Sequence, residues 1–225
     1  MKVLWRYTVP AAILLFAFLA FSVLLLTATE ATAGGLLGAL SSLNLTILSA
    51  RRIPVFSVLT DLLLAFALLI CLAFAAKGAY CLLKGRRPLA VDRYLWYLGA
   101  LYALMIAAYL LFEAIPLSEC LPSATWAPFA EYPSSHTLVA CVVFPSAALT
   151  ARLFCPLRRY RYLLDALAAT LWLFMAAGRI LAGEHLFTDV AGACLFGIAC
   201  NLLYAAFLLP LTKSTSGIEK KETEA

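Results

Sequence analysis

Charge is scarce in this chain: 13% of its 225 residues are Asp, Glu, Lys or Arg, against about 25% in ordinary soluble domains. With 64% hydrophobic residues and a mean hydropathy of +0.95, that shortage excludes a water-soluble globular protein. It excludes a disordered chain as well, since disorder requires few apolar residues and many charges. The net charge of +5 is a modest excess, so no nucleic-acid partner is expected. Histidine is scarcer still, with two in the whole chain, and there is no CxxC and no Cys/His cluster, so no metal or cofactor is expected. The seven cysteines do not pair evenly. They lie mostly inside apolar runs (Cys71, Cys141, Cys194, Cys200) or near basic loops (Cys81, Cys155), as small hydrophobes rather than a disulfide framework.

What the chain has in abundance is long apolar runs. Val9–Leu26, Pro54–Ala76, Tyr94–Phe112, Thr137–Phe154, Tyr162–Ile180 and Val190–Leu211 each approach or exceed the roughly 20 residues that cross a bilayer as a helix. The expected fold is therefore all-α: a polytopic membrane protein of six transmembrane helices over residues 1–212, followed by a polar tail, 213–225, of Ser, Thr, Lys and Glu. The first run follows Lys2 and Arg6 and reads as a first span or as a signal peptide ending at Ala31-Thr32-Ala33. It exceeds the usual signal core of about 7–15 residues, which favours a retained span. Gly34–Ala50 is uncharged but rich in Gly, Ser, Asn and Thr, which suits a surface or re-entrant helix better than a span.

Lys and Arg orient such a bundle, because they stay on the cytoplasmic side of short loops. The basic residues cluster at 2–6, 77–93, 152–161 and 213–221, leaving only Arg51, Arg52 and Arg179 on the opposite face. Both termini are thus expected in the cytoplasm, with the loops at 27–53, 113–136 and 179–189 outside.

Both histidines fall on that outer face. His136 follows Tyr132-Pro133-Ser134-Ser135 at the start of the fourth span, and His185 lies in Gly178-Arg179-x5-His185-x3-Asp189 before the sixth. One helical hairpin separates them, so they lie at the same depth. His185 and Asp189, four residues apart, share one face of a helix, so the carboxylate can engage one ring nitrogen and leave the other as nucleophile or base. Arg179 offers a forked donor suited to phosphate. Pro133-Ser134-Ser135 opens a helix whose free amides and hydroxyls can receive an anion, with His136 beside it as a proton donor. Each feature alone has a bland explanation, as an interfacial His, a local ion pair or a helix cap; together, on one face, they point to a phosphate site. Asp61, near the outer end of the second span, is assigned to the solvated interface and not to the site.

These two segments resemble the motifs of the type 2 phosphatidic acid phosphatase superfamily of integral membrane lipid phosphatases. Pro133-Ser134-Ser135-His136 is similar to the family's Pro-Ser-Gly-His, with Ser135 for Gly, and Gly178-Arg179…His185…Asp189 to Ser-Arg-x5-His-x3-Asp, with Gly178 for Ser. The resemblance implies that His185 attacks phosphorus to form a phosphohistidine, that Asp189 orients it, and that Arg179, Ser134 and Ser135 hold phosphoryl oxygens. It further implies that His136 protonates the leaving oxygen and later activates water. The family's first motif, ending in Arg-Pro, has no counterpart where it should fall. Glu113 to Pro122 contains no cation, none occurs from Tyr94 to Ala151, and Lys84-Gly85-Arg86-Arg87-Pro88 lies on the cytoplasmic face. Arg51 or Arg52 is left as a substitute from the first outer loop.

The implied activity is hydrolysis of a lipid phosphate or diphosphate at the outer face of a bacterial inner membrane, the candidate substrates being undecaprenyl diphosphate, phosphatidate and phosphatidylglycerol phosphate. The alternatives are a lipid phosphotransferase and a non-catalytic lipid-binding or transport protein. Oligomeric state is not legible.

Overall fold

The structure is a computed structural model that describes residues 2–26, 35–50, 52–84, 92–114, 132–154 and 159–223. The described residues form seven helices and no strand: α1 (Lys2–Leu26), α2 (Gly35–Ser49), α3 (Val55–Leu83), α4 (Arg93–Glu113), α5 (Ser135–Phe154), α6 (Arg161–Ala182) and α7 (Phe187–Thr223). All but α2 are long and apolar enough to cross a membrane. The six expected spans are therefore present, and the uncharged Gly34–Ala50 segment forms the additional short helix. Arg51, residues 115–131 and the basic stretch 85–91 lie outside the described residues.

Helices outrun the apolar stretches at several ends. α1 begins at Lys2 and passes through Pro10, α3 continues past Lys77 to Leu83, and α7 continues through the polar segment to Thr223. Hydropathy marks where a helix meets hydrocarbon, whereas the backbone ladder ends only where capping or a breaker ends it.

α5 is the axis of the bundle. Its residues Ala140 to Phe144 are almost wholly enclosed by α6, α7, α3 and α4, and α1 lies along α7. Large side chains such as Phe16, Leu62, Leu69 and Leu110 face outward, as suits a surface solvated by lipid. Between helices the contacts include hydroxyl pairs that would be costly to leave unmade in hydrocarbon. Thr150 on α5 meets Tyr204 on α7 at 2.6 Å, and Tyr102 on α4 meets Ser146 on α5 at 3.3 Å. The five described cysteines are free, with Cys141 and Cys200 buried as small core residues.

Tyr132 fixes where α5 begins. Its ring stacks on Phe18 of α1 and meets Phe112 of α4 edge-on, and its hydroxyl pairs with Ser22 of α1 at 2.9 Å. Burial pushes that phenol above its ordinary pKa, so it remains a neutral partner. The ring also rests on α7 at Gly192, where an added Cβ would come within 2.5 Å of it. Gly192→Ala is therefore expected to destabilise the protein by about 1–3 kcal/mol, and Tyr132→Phe by about 1 kcal/mol. Thermal unfolding in detergent checks both; a Gly192→Ala protein as stable as its parent would show that this seating of Tyr132 is wrong.

Candidate active site

At one end of the bundle the start of α5, the end of α6 and the start of α7 converge, and the start of α3 joins them. The first link is made by backbone: Ser134 N–H donates to the Asp189 carbonyl at 3.1 Å, tying the segment before α5 to the first turn of α7. The second is the Ile53 N–H, which donates to the Leu181 carbonyl at 3.0 Å and holds the segment before α3 against the end of α6.

Asp189 is 1% exposed, and its Oδ2 serves two neighbours. Its Oδ2 accepts the Leu186 N–H at 2.9 Å, the reaching-back half of a capping box at the start of α7. The same oxygen faces His185 Nδ1 at 3.6 Å, an electrostatic contact longer than a hydrogen bond. His185 itself precedes α7. The i, i+4 juxtaposition thus comes from the capped turn, with Asp189 reaching back, rather than from two positions on a regular helix. With Nδ1 turned to Asp189, Nε2 is the nitrogen free for chemistry.

Arg179, near the C-terminus of α6, is 7% exposed. It pairs with Glu184 and approaches Asp61 Oδ1 and Thr60 Oγ1, each at 3.4 Å. The same Asp61 oxygen lies 3.1 Å from His136 Nε2. Asp61 therefore joins this side-chain cluster, from which the sequence reading leaves it out. Its exposure is real, at 60% of the side chain, but it faces the cluster. No local motif announces it, because it lies 75 residues from His136 in the chain. Since one carboxylate oxygen touches both, the His136 ring and the Arg179 guanidinium are no farther apart than two polar contacts. Arg179 Nε is buried with no hydrogen-bond partner among the described residues, a condition that ligand binding commonly relieves.

Ser134 is fully buried as the residue before α5. Its Oγ donates to Thr137 Oγ1 at 3.1 Å and receives the Thr137 N–H at 3.5 Å, an N-cap arrangement. Ser135, the residue in place of the family's Gly, sets its Oγ 3.4 Å from His136 Nδ1. Of the substitute cations, Arg52 lies with its side chain over Gly183, whose φ of +72° closes α6 in the left-handed cap conformation. That places Arg52 beside the turn that carries Glu184 and His185. Among the described residues no group of three His, Cys, Asp or Glu side chains is arranged to hold a metal.

Residues 59–213 match the family described as the PAP2 superfamily, the type 2 phosphatidic acid phosphatases that the two motifs resemble. The chain belongs to the PAP2 superfamily. Its fold is similar to the crystal structure of "the first transmembrane PAP2 type phosphatidylglycerolphosphate phosphatase from Bacillus subtilis", with a TM-score of 0.54 and 18% identity over 94% of this chain and 96% of that one. No curated protein matches the chain.

The Gly at 178, where the family has Ser, has a packing reason. A Cβ there would meet Thr60 Cγ2 at 2.6 Å, so the missing side chain lets α3 approach α6 closely enough for Thr60 and Asp61 to touch Arg179. Gly178→Ala is expected to lower stability by about 1–3 kcal/mol through overpacking. Thr60→Ser, which removes the obstructing methyl and keeps the hydroxyl, should recover most of that loss in the double variant. Thermal midpoints of the four proteins of this cycle decide it, and strictly additive effects would refute the contact.

Proposed function

We infer that this PAP2 protein is a membrane lipid phosphatase that hydrolyses a lipid phosphate or diphosphate through a phosphohistidine at His185. The observation that carries the reading is the convergence of His185 with Asp189, of Arg179 and of His136 at one end of the bundle. Family membership and the fold likeness to a membrane phosphatase support the same reaction class.

In the proposed reaction His185 Nε2 attacks phosphorus. A P–N bond forms, the bond from phosphorus to the lipid oxygen breaks, and that oxygen takes a proton from His136. Water, giving its proton to His136, then attacks phosphorus; a P–O bond forms, the P–N bond to His185 Nε2 breaks, and phosphate leaves. Asp189, beside Nδ1, orients the ring and stabilises its positive charge. Arg179 holds phosphoryl oxygens together with the Ser135 hydroxyl and the open amides at the start of α5, with Ser134 shaping that turn. Such positioned donors are the main source of rate in phosphoryl transfer. Arg52, at the Gly183 turn, supplies the second cation that the missing first motif would have provided. Asp61 is the placeholder: without substrate it occupies Arg179 and His136, and an incoming phosphate takes its place.

The charge pattern supports a site on the extracytoplasmic face of a plasma membrane, with both termini inside. Undecaprenyl diphosphate, phosphatidate and phosphatidylglycerol phosphate are the candidate substrates.

Phosphate release from lipid mono- and diphosphates by the purified protein tests the reading. His185→Ala should abolish turnover. His136→Ala should cost about 10²–10⁴-fold with a lipid alcohol leaving group and much less with an aryl phosphate, which leaves without a proton. Transfer to an added lipid alcohol without free phosphate would indicate the transferase, and binding without turnover the non-catalytic protein. Arg52→Ala should lower kcat/KM about tenfold or more, with Arg52→Lys retaining most of it. Asp61→Asn should lower the inhibition constant for inorganic phosphate about threefold to tenfold, the equivalent of roughly 1 kcal/mol of relieved competition; weaker inhibition would remove the placeholder role.

A further inference from the structure

Asn44 on α2 is 0% exposed, although burying an amide without its full set of partners is costly. Its Nδ2 donates to Thr188 Oγ1 of α7 at 3.2 Å, across 144 residues of chain, and Thr188 is as fully buried. Its Oδ1 has no hydrogen-bond partner among the described residues. Thr188 stands next to Asp189 in the first turn of α7, and its hydroxyl hydrogen-bonds the Asp189 carboxylate. A hydroxyl has one proton and a carboxylate oxygen only accepts, so that proton lies toward Asp189. The Thr188 oxygen is then left as an acceptor, and of the two ends of the Asn44 amide only the NH2 can serve it. That need fixes the orientation of the amide and explains why Oδ1 is the atom left over. Donation therefore runs from Asn44 to Thr188 to Asp189, whose Oδ2 faces His185 Nδ1 at 3.6 Å.

We propose that Asn44 is a positioning residue for His185, acting from α2 through Thr188 and Asp189. The role rests on the reading of His185 as the nucleophile. When Nε2 bonds to phosphorus the imidazole becomes cationic, and Asp189 must meet the Nδ1–H from a fixed direction. Asp189 is held by two donors: the Leu186 N–H, which belongs to its own turn, and the Thr188 hydroxyl, which can rotate. Left alone, that hydroxyl can turn its proton from Asp189 to another acceptor. The Asn44 N–H prevents this by engaging the oxygen from the other side, and each bond polarises the next. Of the seven helices α2 alone is not a candidate span, and this contact gives it a part in the site. Asn44 is separated from His185 by two side chains, so its loss falls on the chemical step and leaves substrate binding intact.

Asn44→Leu keeps the branched shape and removes the donor, Asn44→Asp replaces it with an acceptor, and Thr188→Val removes the hydroxyl. Each should lower kcat on a lipid phosphate about tenfold, the loss expected when an outer partner of an oriented histidine is removed, with KM unchanged. Asn44→Leu combined with Thr188→Val should cost no more than either alone, and Thr188→Ser should keep the unaltered rate. Ser42→Ala, whose hydroxyl rests on the Ala39 carbonyl of the same helix, is the control. Because the chain has only two histidines, nitrogen NMR of tag-free, histidine-labelled protein reads the ring directly at a pH where it is neutral, with His136→Gln assigning the signals. In the unaltered protein His185 should hold its proton on Nδ1. Asn44→Leu and Thr188→Val should shift it toward exchange between the two nitrogens and leave the His136 signals in place. An unchanged kcat in Asn44→Leu, additive losses in the double variant, or an unmoved His185 signal would overturn the proposal. If Asn44→Leu does not fold, Asn44→Asp and Thr188→Val decide it by the same readings. Absence of turnover in the unaltered protein would overturn the phosphatase reading instead, and the nitrogen spectrum would then decide the positioning role alone.

Discussion

The hydrogen bond from Ser134 N–H to the Asp189 carbonyl is the constraint on which the rest of the site depends. It sets the beginnings of α5 and α7 side by side, so two helix N-termini open toward the same place. Each carries unpaired amides and the positive end of a helix dipole. In a chain with so few cations on this face, that is a considerable share of the positive potential available. The same bond sets the relative height of the two motifs, since His136 lies two residues beyond Ser134 and His185 four before Asp189. Tyr132, clamped between α1, α4 and Gly192, prevents the α5 start from sliding along α7.

Arg179 is the second organising element, and its surroundings explain one departure from the family pattern. Gly178 gives up a side chain so that α3 can come close, and α3 then supplies Thr60 and Asp61. A guanidinium buried this far needs a counter-charge, because removing it from water without one is expensive. Glu184 and Asp61 provide two. The two differ in mobility of setting: Glu184 is carried on the turn that closes α6, whereas Asp61 is largely exposed and can leave without opening the core.

How much of this was legible in the sequence follows from what is local. The six spans, the extra short helix and the pairing of the two motifs on one end were legible because apolar runs and short fixed spacings encode them. Asp61 was not, because its role arises from α3 packing on α6, a contact between distant segments. Gly178 carried a signal that could have found it: a small residue in a motif position inside a span marks close approach of another helix, and the residues opposite are then candidates. The i, i+4 spacing of His185 and Asp189 predicted the right contact by a different geometry, since a capped first turn brings the two together as a continuous helix would. The helices extend past the apolar runs wherever hydropathy and hydrogen bonding part, as at Lys2, Leu83 and beyond Pro210.

The scarcity of charge that marks the whole chain also bears on how the site would act. Electrostatic interactions strengthen as water is excluded, so buried Arg179 and Asp189 exert more influence per charge than exposed residues would. A site that relied on several cations would need several counter-ions in the absence of substrate, each a competitor for the same place. With Arg179 buried and one exposed carboxylate across it, exchanging Asp61 for a phosphoryl group replaces one anion by another and leaves the buried charge balance nearly unchanged. His136 stands between two partners, Asp61 on its Nε2 side and Ser135 on its Nδ1 side.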